Sequence, residues 1–379
     1  MGFTSEMFVV SSPISDVKTS NHDYKTLFKT ARQCQQHQMV VIRRNKHPQI
    51  SLYASHYHIM KRLQKATTTT TTCILKEERD SSPSFTSCGL RFVCGKKLLS
   101  ELSTWRIGGP CNHFVQVFDR TQLLSAIRYC REHSIRFLII GKGSNCLFDD
   151  SGFDGCVILN KIDFIEELKS GIYRVGSGYA FNQLGVRCSN DGFTGLEFAS
   201  GVPGSVGGGA YMNAGANGQE ISDVISSVEI LQTDGRLETI NQNDLAFSYR
   251  KSSFQDMEDL AAIVAVTFKL KPFPSAREQQ KAYLTKRRLS QPLGERSAGS
   301  VFKNPEGVGV SAGELIEKAG LKGFRLGNAK ISEVHANFFI NCGGSTSKDM
   351  IELINLVKEK VKDKFNVELN EEIQYVSPI

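Results

Sequence analysis

The segment Gly201-Val-Pro-Gly-Ser-Val-Gly-Gly-Gly-Ala-Tyr-Met-Asn-Ala-Gly215 holds six glycines in fifteen residues, and it decides the fold. Glycine lets the backbone approach a ligand closely enough for successive N–H groups to converge on a phosphate. Ser205 and Asn213 add side-chain donors to the same segment. A single glycine-rich loop is more often an ordinary turn. We interpret this one as a backbone cradle for a pyrophosphate because a second loop of the same kind precedes it.

The second loop is Gly141-Lys-Gly-Ser-Asn145, which follows the apolar run Ile135–Ile140. That run predicts a buried strand, and Ser144 and Asn145 supply donors directly after it. Two such loops in one chain predict a bound dinucleotide. Neither loop has the Gly-x-Gly-x-x-Gly spacing, and no acidic residue ends a second strand about 20 positions later. The nucleotide-binding fold is therefore expected to differ from the Rossmann fold.

Composition is ordinary for a globular protein: 379 residues, 40% hydrophobic and 22% charged. No run of about 18 uncharged apolar residues occurs, so no membrane span is predicted. The net charge of +7 is concentrated at the N-terminus, where residues 1–80 hold 12 Lys/Arg against 6 Asp/Glu. The rest of the chain is nearly neutral and has no basic stripe, which argues against a nucleic-acid partner.

The N-terminal leader has no acidic residue from Tyr24 to Lys76 but ten Lys/Arg, and it includes the threonine run Thr67–Thr72. A basic, hydroxyl-rich and acid-poor start is typical of an organellar transit peptide, plastid or mitochondrial. The alternative is a disordered tail without targeting value. We predict that residues 1–97 form this leader.

After the leader, short strands alternate with a few helices, which predicts an α+β protein. Lys271-Pro-Phe-Pro274 signals a boundary, so we expect one domain over residues 98–272 and a smaller one over 275–379. Capping boxes at Ser275, Ser311 and Thr346 predict three helix starts in the second domain. Ten cysteines without a Cys-x-x-Cys pair favour scattered thiols over a metal site or a disulfide framework.

Two distant segments carry candidate catalytic groups. The first is Arg296-Ser-Ala-Gly-Ser-Val-Phe-Lys-Asn-Pro305, which contains Ser300, Lys303 and Asn304; the second is the pair Glu371-Glu372. A hydroxyl, a lysine, an amide and a carboxylate in one cleft can protonate a carbanion while holding an anionic substrate. Tyr249-Arg250 adds a guanidinium able to clamp a carboxylate.

The motifs together resemble the UDP-N-acetylenolpyruvoylglucosamine reductase family, in the family's order, from about residue 98 to 376. They are Ser103–Gly109, Gly141–Asn145, Gly201–Gly208, Met212–Gly215, Tyr249-Arg250, Gly299–Pro305 and His335–Phe338. Seven ordered motifs are far more specific than any one of them.

The resemblance implies the FAD-binding fold of the vanillyl-alcohol oxidase type, with two α+β subdomains and a smaller C-terminal α+β substrate domain. It implies FAD and NADPH as cofactors and UDP-N-acetylglucosamine enolpyruvate as substrate. NADPH reduces FAD, N5 of the flavin gives hydride to C3 of the enolpyruvyl ether, and Ser300 protonates C2 to form UDP-N-acetylmuramate, a peptidoglycan precursor. Arg250 and Glu372 stabilise the enolate-like intermediate or relay the proton.

The resemblance also implies the binding residues. The cofactor-binding positions are Arg106, Gly141, Gly143, Ser144, Asn145, Gly201, Pro203, Gly204, Ser205, Gly207, Gly208, Asn213, Ala214 and Gly215. The substrate-binding positions are Tyr249, Arg250, Gln291, Lys303, Asn304 and His335. No metal is implied.

Three departures refine this interpretation. The short connection from Leu270 to Ser300 indicates the shorter, second type of the family. Asn217 stands where many members have tyrosine. Leu369-Asn-Glu-Glu-Ile373 replaces a more usual Leu-Glu-Pro-Glu-Val, so alignment selects Glu372, although a one-residue slip would select Glu371 and the opposite strand face.

Two alternatives remain at the level of sequence. One is an oxidase of the same flavin fold acting on another substrate, and the other is a flavin-binding protein without catalysis. The three histidines after the leader lie in no recognisable flavin-attachment motif, and Ser300, Arg250 and Glu372 are all present. We expect a monomeric enzyme, in the plastid stroma rather than the mitochondrion.

Overall fold

The computed structural model describes residues 84–87 and 89–378. The transit-peptide prediction rests on residues 1–83, which lie outside the described residues. The helices of the described part are α1 (Arg120–Glu132), α2 (Phe181–Asn190), α3 (Val206–Tyr211), α4 (Ala276–Ser290), α5 (Ala312–Lys318) and α6 (Ser347–Phe365). The strands are β1 (Ser84–Ser87), β2 (Leu90–Cys94), β3 (Cys111–Val117), β4 (Phe137–Ile140), β5 (Cys146–Phe148), β6 (Phe153–Asn160), β7 (Ile165–Lys169), β8 (Ile172–Gly176), β9 (Phe193–Thr194), β10 (Gly215–Ala216), β11 (Gln219–Glu220), β12 (Ile225–Gln232), β13 (Leu237–Asn241), β14 (Phe247–Ser248), β15 (Lys251–Ser252), β16 (Leu260–Lys269), β17 (Lys271–Pro272), β18 (Arg325–Leu326), β19 (Ala329–Ile331), β20 (Phe339–Asn341) and β21 (Gln374–Val376).

The first sheet has the order β1-β2-β3-β6-β4. Its strands β3, β6 and β4 run parallel, whereas β1 and β2 are antiparallel additions at one edge. Helix α1 begins at the cap Asp119, whose carboxylate accepts the N–H of Gln122. Its buried residues Leu123, Ile127 and Cys130 share one apolar face, as their spacing along the helix requires. The loop Gly141–Asn145 leaves this sheet at the carboxyl end of β4.

The hairpin β1–β2 corrects the predicted leader boundary at residue 97. Phe85 and Phe92 stack with ring centroids 5.0 Å apart, and Phe92 is fully buried. Strands β1 and β2 therefore belong to the first sheet rather than to a disordered leader. Two short strands with polar ends carry little periodicity of their own, and pairing with β3 and packing against α1 stabilise them.

The second sheet is antiparallel throughout, in the order β13-β12-β16-β8-β7. An Asp234-Gly235 turn joins β12 to β13, with Gly235 at φ 91°. Helix α2 buries Phe181, Leu184 and Cys188 in the cluster that covers this sheet. The helix was not predicted, because its stripe is short and interrupted by Gly185.

The elements after β17 are α4 to α6 and the sheet β18-β19-β20, followed by β21. Thr346 and Asp349 form the predicted capping box of α6, and Ser311 caps α5 through the N–H of Glu314. The capping box predicted at Ser275 is wrong. Helix α4 starts there, but Ser275 has a near-helical ψ of 13° and its hydroxyl makes no cap hydrogen bond.

Trp105 joins the connection between β2 and β3 of the first sheet to the sheet β18-β19-β20. Its indole Nε1 donates to the carbonyl of Phe339 at 2.7 Å, and Asn341 Nδ2 donates to the carbonyl of Trp105 at 2.8 Å. The side chain is fully buried in a cluster made mostly of C-terminal residues. This anchor holds the 103–109 segment between the two parts of the molecule.

The described helices include none that is long and apolar enough to cross a membrane. Among residues 84–87 and 89–378, no group of His, Cys, Asp and Glu side chains is arranged to hold a metal ion. The cysteines described there are free thiols.

Candidate active site

The two predicted glycine loops lie against each other. Ser144 Oγ donates to the carbonyl of Pro203 at 2.5 Å. A Cβ atom on Gly141 would lie 2.2 Å from Ser205 Oγ, so the loops leave no room for a side chain at this position. The sequence interpretation explained the glycines by close approach to a phosphate. The structure shows that Gly141 is also required for the packing of one loop on the other.

The second loop leads into α3. Ser205 caps this helix, and its hydroxyl accepts the N–H of Gly208 at 3.3 Å. The N–H of Gly207 is bonded to the carbonyl of Ser177 at 2.8 Å. Gly204 and Gly208 face more open space, with Ser144 Oγ and Ser205 Oγ respectively as the nearest atoms to an added Cβ. The loop backbone is thus held by the protein on one side and remains approachable at Gly204 and Gly208.

Thr104 is a cofactor-binding candidate that the sequence reasoning did not identify. Its N–H donates to the carbonyl of Gly143 at 3.2 Å, which places it beside the first loop. Its Oγ1 is buried and has no hydrogen-bond partner among the described residues. A buried hydroxyl without a partner costs free energy unless a ligand or water satisfies it. The adjacent Arg106, which was predicted to bind the cofactor, is exposed at φ 60° and donates to the carbonyl of Glu101 at 3.4 Å.

Asn213 is placed differently from the donor role that the sequence suggested. Its side chain is fully buried, and Nδ2 donates to Glu220 Oε2 at 2.7 Å and to the carbonyl of Ser248 at 2.8 Å. Its Oδ1 accepts the N–H of Ser222. The amide is therefore committed within the protein. Ala214 and Gly215 follow it at the start of the hairpin β10–β11.

Arg250 and Glu372 form the centre of the site. Arg250 Nε donates to Glu372 Oε1 at 2.6 Å, and Nη2 donates to the carbonyl of Gly215 at 2.9 Å. The side chains are only 16% and 19% exposed. Tyr249 and Arg250 make the two-residue turn between β14 and β15, with Arg250 at φ 56°. A non-glycine residue at positive φ costs about 1–2 kcal/mol, a strain often found at functional sites.

The segment before β21 places the two glutamates in different surroundings. Glu372 N–H donates to the carbonyl of Val301 at 2.8 Å, and Phe302 pairs with Glu371. This register turns Glu372 toward Arg250 and Glu371 toward Lys358 of α6, whose Nζ lies 2.9 Å away. Burial raises the pKa of Glu372 above its ordinary value, and the charges of Arg250 and Lys303 oppose that rise.

Ser300 lies on the extended segment that pairs with Glu372 on one side and Phe338 on the other. Asn337 holds this segment through three bonds: its carbonyl accepts from Val301 N–H, its Oδ1 accepts from Phe302 N–H and its Nδ2 donates to the carbonyl of Phe302. Ser300 Oγ makes no hydrogen bond within residues 89–378 and remains available to a ligand. Asn337 was not singled out from the sequence, because its role depends on this strand pairing.

Tyr249, Lys303 and Asn304 converge on the same place. The N–H of Asn304 donates to Tyr249 Oη at 3.3 Å, and Asn304 Oδ1 accepts the N–H of Ala312. Lys303 lies close enough to Glu372 to lower its pKa. The guanidinium of Arg250 lies over the ring of Tyr249, 4.8 Å from its centroid. The structure therefore brings these three residues together with Arg250 and Glu372.

His335 is a predicted site residue whose ring is held by contacts within the protein. Its Nδ1 accepts the N–H of Asn337 at 3.2 Å, and its ring lies edge-on to Phe338. Burial lowers the pKa of His335, which keeps the imidazole neutral. In the described part of the chain, no hydrogen bond or ion pair joins it to Arg250 or Glu372.

Gln291 lines a cavity of about 190 Å³ at the end of α4. The other lining residues are Phe198, Gly201, Ala216, Asn217, Tyr283, Lys286, Arg287 and Ser290. Gln291 Oε1 and Arg287 Nε are both buried and have no partner among the described residues. Desolvation lowers the pKa of Arg287. The buried donor Arg287 Nε and the basic lining suit an anionic ligand. Arg287 was not identified from the sequence because an arginine on a helix is usually exposed.

Comparisons with known proteins agree with this geometry. The family model of the UDP-N-acetylenolpyruvoylglucosamine reductase C-terminal domain matches residues 291–376, and that of an FAD binding domain matches residues 111–241. The UDP-N-acetylenolpyruvoylglucosamine reductase of Protochlamydia amoebophila is 47% identical over 279 residues, covering 74% of this chain and 92% of the relative. That of Chlamydia abortus is 44% identical over 278 residues, covering 73% and 92%.

A solved structure extends the likeness to the fold. The crystal structure of UDP-N-acetylenolpyruvylglucosamine reductase (MurB) from Thermus caldophilus has a TM-score of 0.62 and 32% identity, and covers 76% of this chain and 98% of its own. The predicted α+β fold with an FAD-binding domain is confirmed, and the class is a flavin-dependent oxidoreductase. The chain belongs to the UDP-N-acetylenolpyruvoylglucosamine reductase family.

The loop packing predicts that Gly143→Ala abolishes flavin binding. Gly143 has φ 58°, and an added Cβ would lie 1.9 Å from the carbonyl oxygen of Leu102, so the loop must move. Gly89→Ala is the matched control, because Gly89 has φ 75° and open space around it. This substitution introduces no clash and lowers the free energy of unfolding only through the backbone, by about 1 kcal/mol. Flavin affinity is measured by quenching of Trp105, the single tryptophan. Unchanged affinity in Gly143→Ala would contradict the proposed loop role.

Proposed function

We propose that the protein reduces the enolpyruvyl ether of UDP-N-acetylglucosamine enolpyruvate to UDP-N-acetylmuramate, with NADPH as the electron donor. The observation that carries the proposal is the buried Arg250–Glu372 pair, with Ser300 and Lys303 on the adjoining segment. These groups belong to a chain of the reductase family with an FAD-binding domain. The enzyme is thus proposed for peptidoglycan precursor synthesis.

The donor sets fit FAD as the resident cofactor. The buried Thr104 Oγ1 has no partner, and the two glycine loops beside it leave backbone approachable at Gly204 and Gly208. When bound, FAD would supply the redox chemistry, in which a hydride taken from NADPH is delivered to C3 of the enolpyruvyl group. The residues of this chain then have two tasks: to hold the carboxylate of the substrate and to deliver one proton to C2.

Arg250 is proposed to stabilise the negative charge that develops on the substrate carboxylate as C3 gains hydride. Its guanidinium is already desolvated and oriented by Glu372 and the carbonyl of Gly215, so little reorganisation is needed. Lys303 adds a second cation near the same place. Preorganised positive charge of this kind stabilises a developing negative charge most strongly in a site from which water is largely excluded.

Ser300 is proposed to donate the proton to C2. Its hydroxyl makes no hydrogen bond within the described residues, and Asn337 holds its segment in place. Glu372 is proposed to help replace that proton, because burial raises the pKa of its carboxyl toward the working pH. Tyr249 and Asn304 are joined by a hydrogen bond from the Asn304 N–H to Tyr249 Oη, and they border the space beside Ser300 and Glu372.

The cavity beside Gln291 is proposed to hold the diphosphate of the sugar nucleotide. Arg287 Nε is a buried donor without a partner, and Lys286 lines the same cavity. A diphosphate would accept charge-assisted hydrogen bonds from both side chains at once.

The short connection from β16 to Ser300 consists of β17, α4 and brief loops, which supports the shorter, second type of the family.

Ser300→Ala is expected to slow reoxidation of the reduced flavin by the enolpyruvyl substrate by about 100-fold to 10,000-fold, because a general acid is lost. Reduction by NADPH should stay at the wild-type rate, since no proton is delivered to C2 in that step. Stopped-flow absorbance of the flavin measures both steps, and Ser297→Ala serves as the control. Equal reoxidation rates in Ser300→Ala and wild type would rule out the proposed role.

Arg287→Leu is expected to raise KM for the sugar nucleotide by about 10-fold to 100-fold with a smaller effect on kcat. A charged hydrogen bond to a ligand contributes about 1.5–3 kcal/mol, and binding that is equal in ground and transition states appears in KM. Arg288→Leu is the matched control, because the neighbouring Arg288 is exposed and lines no part of the cavity. A KM that remains unchanged in Arg287→Leu would place the diphosphate elsewhere.

We also propose that the leader directs the protein to the plastid stroma, where it acts as a monomer. The support is the basic, acid-poor composition between Tyr24 and Lys76. A full chain fused at its C-terminus to a fluorescent protein should enter plastids in plant cells, and a fusion lacking residues 1–83 should stay in the cytosol. Mitochondrial or unchanged cytosolic fluorescence of the full fusion would count against plastid targeting.

A further inference from the structure

We propose that Glu220 is a positioning residue that orients Arg250 and, through it, sets the protonation of Glu372. The inference rests on the proposed function of the Arg250–Glu372 pair. Glu220 Oε1 lies 4.0 Å from Arg250 Nη1, on the side of the guanidinium away from its bond to Glu372. Arg250 is thus shared between two carboxylates, one on the hairpin β10–β11 and one on the C-terminal strand.

The hairpin supplies both contacts to the far side of Arg250. Gly215 and Glu220 are paired across β10 and β11, and Arg250 Nη2 donates to the carbonyl of Gly215 at 2.9 Å. Nε and Nη2 therefore each have a hydrogen-bond acceptor, and Glu220 adds an ion-pair contact at 4.0 Å from Nη1. Two directed hydrogen bonds and a nearby carboxylate restrict how the planar guanidinium can rotate.

Asn213 holds Glu220 in this position. Asn213 Nδ2 donates to Glu220 Oε2 at 2.7 Å and to the carbonyl of Ser248 at 2.8 Å, so one buried amide ties Glu220 to the strand that precedes Arg250. Glu220 also caps the 3₁₀ turn Ile221–Asp223, and its own N–H donates to Asp223 Oδ2 at 2.8 Å. Its side chain is 32% exposed, so the carboxylate is only partly desolvated.

The charges around the Arg250–Glu372 pair determine in which direction Glu220 shifts the protonation of Glu372. The β14–β15 turn contributes Arg250, and the C-terminal segments contribute Lys303 and Glu372, which lie close to it. The ring of Tyr249 covers Arg250. On the hairpin, Asp223 adjoins Glu220. The negative charge of Glu220 partly cancels the stabilisation that Arg250 gives to the ionised form of Glu372. When Glu220 is neutralised, Arg250 interacts with the charge of Glu372 alone, and the ionised form of Glu372 gains stability.

The test uses the full-length holoenzyme with Glu220→Gln, which keeps the shape and the cap but removes the charge. The ionisation midpoint of Glu372, followed by NMR of isotope-labelled glutamate carboxyls and assigned with Glu372→Gln, should fall by roughly half a unit. Flavin reoxidation by the enolpyruvyl substrate should slow by about 10-fold, while reduction by NADPH and flavin affinity stay unchanged. Glu220→Asp should restore the midpoint in part, because it restores the charge.

Asp223→Ala is the control, because it breaks the cap of the 3₁₀ turn without touching Arg250. Asp223→Ala should lower the melting temperature and leave the ionisation midpoint of Glu372 unchanged. Glu220→Gln should instead shift that midpoint and leave the melting temperature unchanged. An unmoved midpoint in Glu220→Gln, at any rate of reoxidation, would overturn the inference. Failure of the wild-type protein to be reoxidised would instead overturn the proposed function, and the NMR midpoint would still decide the role of Glu220.

Discussion

The hydrogen-bonded ion pair between Arg250 and Glu372 is the interaction on which the rest of the site depends. The residues are 122 positions apart, and each is mostly buried. Removing one partner of such a pair leaves an uncompensated charge, which costs about 3–5 kcal/mol. The chain therefore has to bring the β14–β15 turn and the C-terminal strand together. That requirement also brings Lys303, Tyr249 and the Ser300 segment into the same space.

A second constraint connects this centre to the cofactor loops. Asn145 Nδ2 donates to the carbonyl of Glu372 at 3.0 Å, so a direct hydrogen bond joins the first glycine loop to the segment that carries this carboxylate. Trp105 anchors the segment beside that loop to β20. The loops that would hold the flavin are thus bonded to the strand that carries the carboxylate. Hydride donor and proton donor need such a common frame, because small displacements cost large factors in rate.

Much of this arrangement could be predicted from local patterns. The glycine loops, the Asp234-Gly235 turn and the helix beginning after Thr346 all depend on residues close in sequence. The capping box at Ser275 failed because backbone geometry, rather than residue type, determines whether a hydroxyl reaches the third N–H. The hairpin Ser84–Cys94 was missed because its stability comes from pairing with β3.

The finer features of the site arise from contacts between distant residues. Asn213 was expected to face a ligand, but its amide bonds Glu220 and Ser248. Thr104 and Asn337 lie inside quoted motifs that gave them no role, whereas Glu220 and Arg287 lie outside the motifs. Only burial, unpaired polar atoms and contacts with distant residues distinguish these four side chains. The most direct measurement is anaerobic reduction of the purified protein by NADPH, followed by addition of UDP-N-acetylglucosamine enolpyruvate. The account predicts bleaching of the flavin absorbance and then rapid recovery as UDP-N-acetylmuramate forms; a flavin that stays bleached after the substrate is added would contradict it.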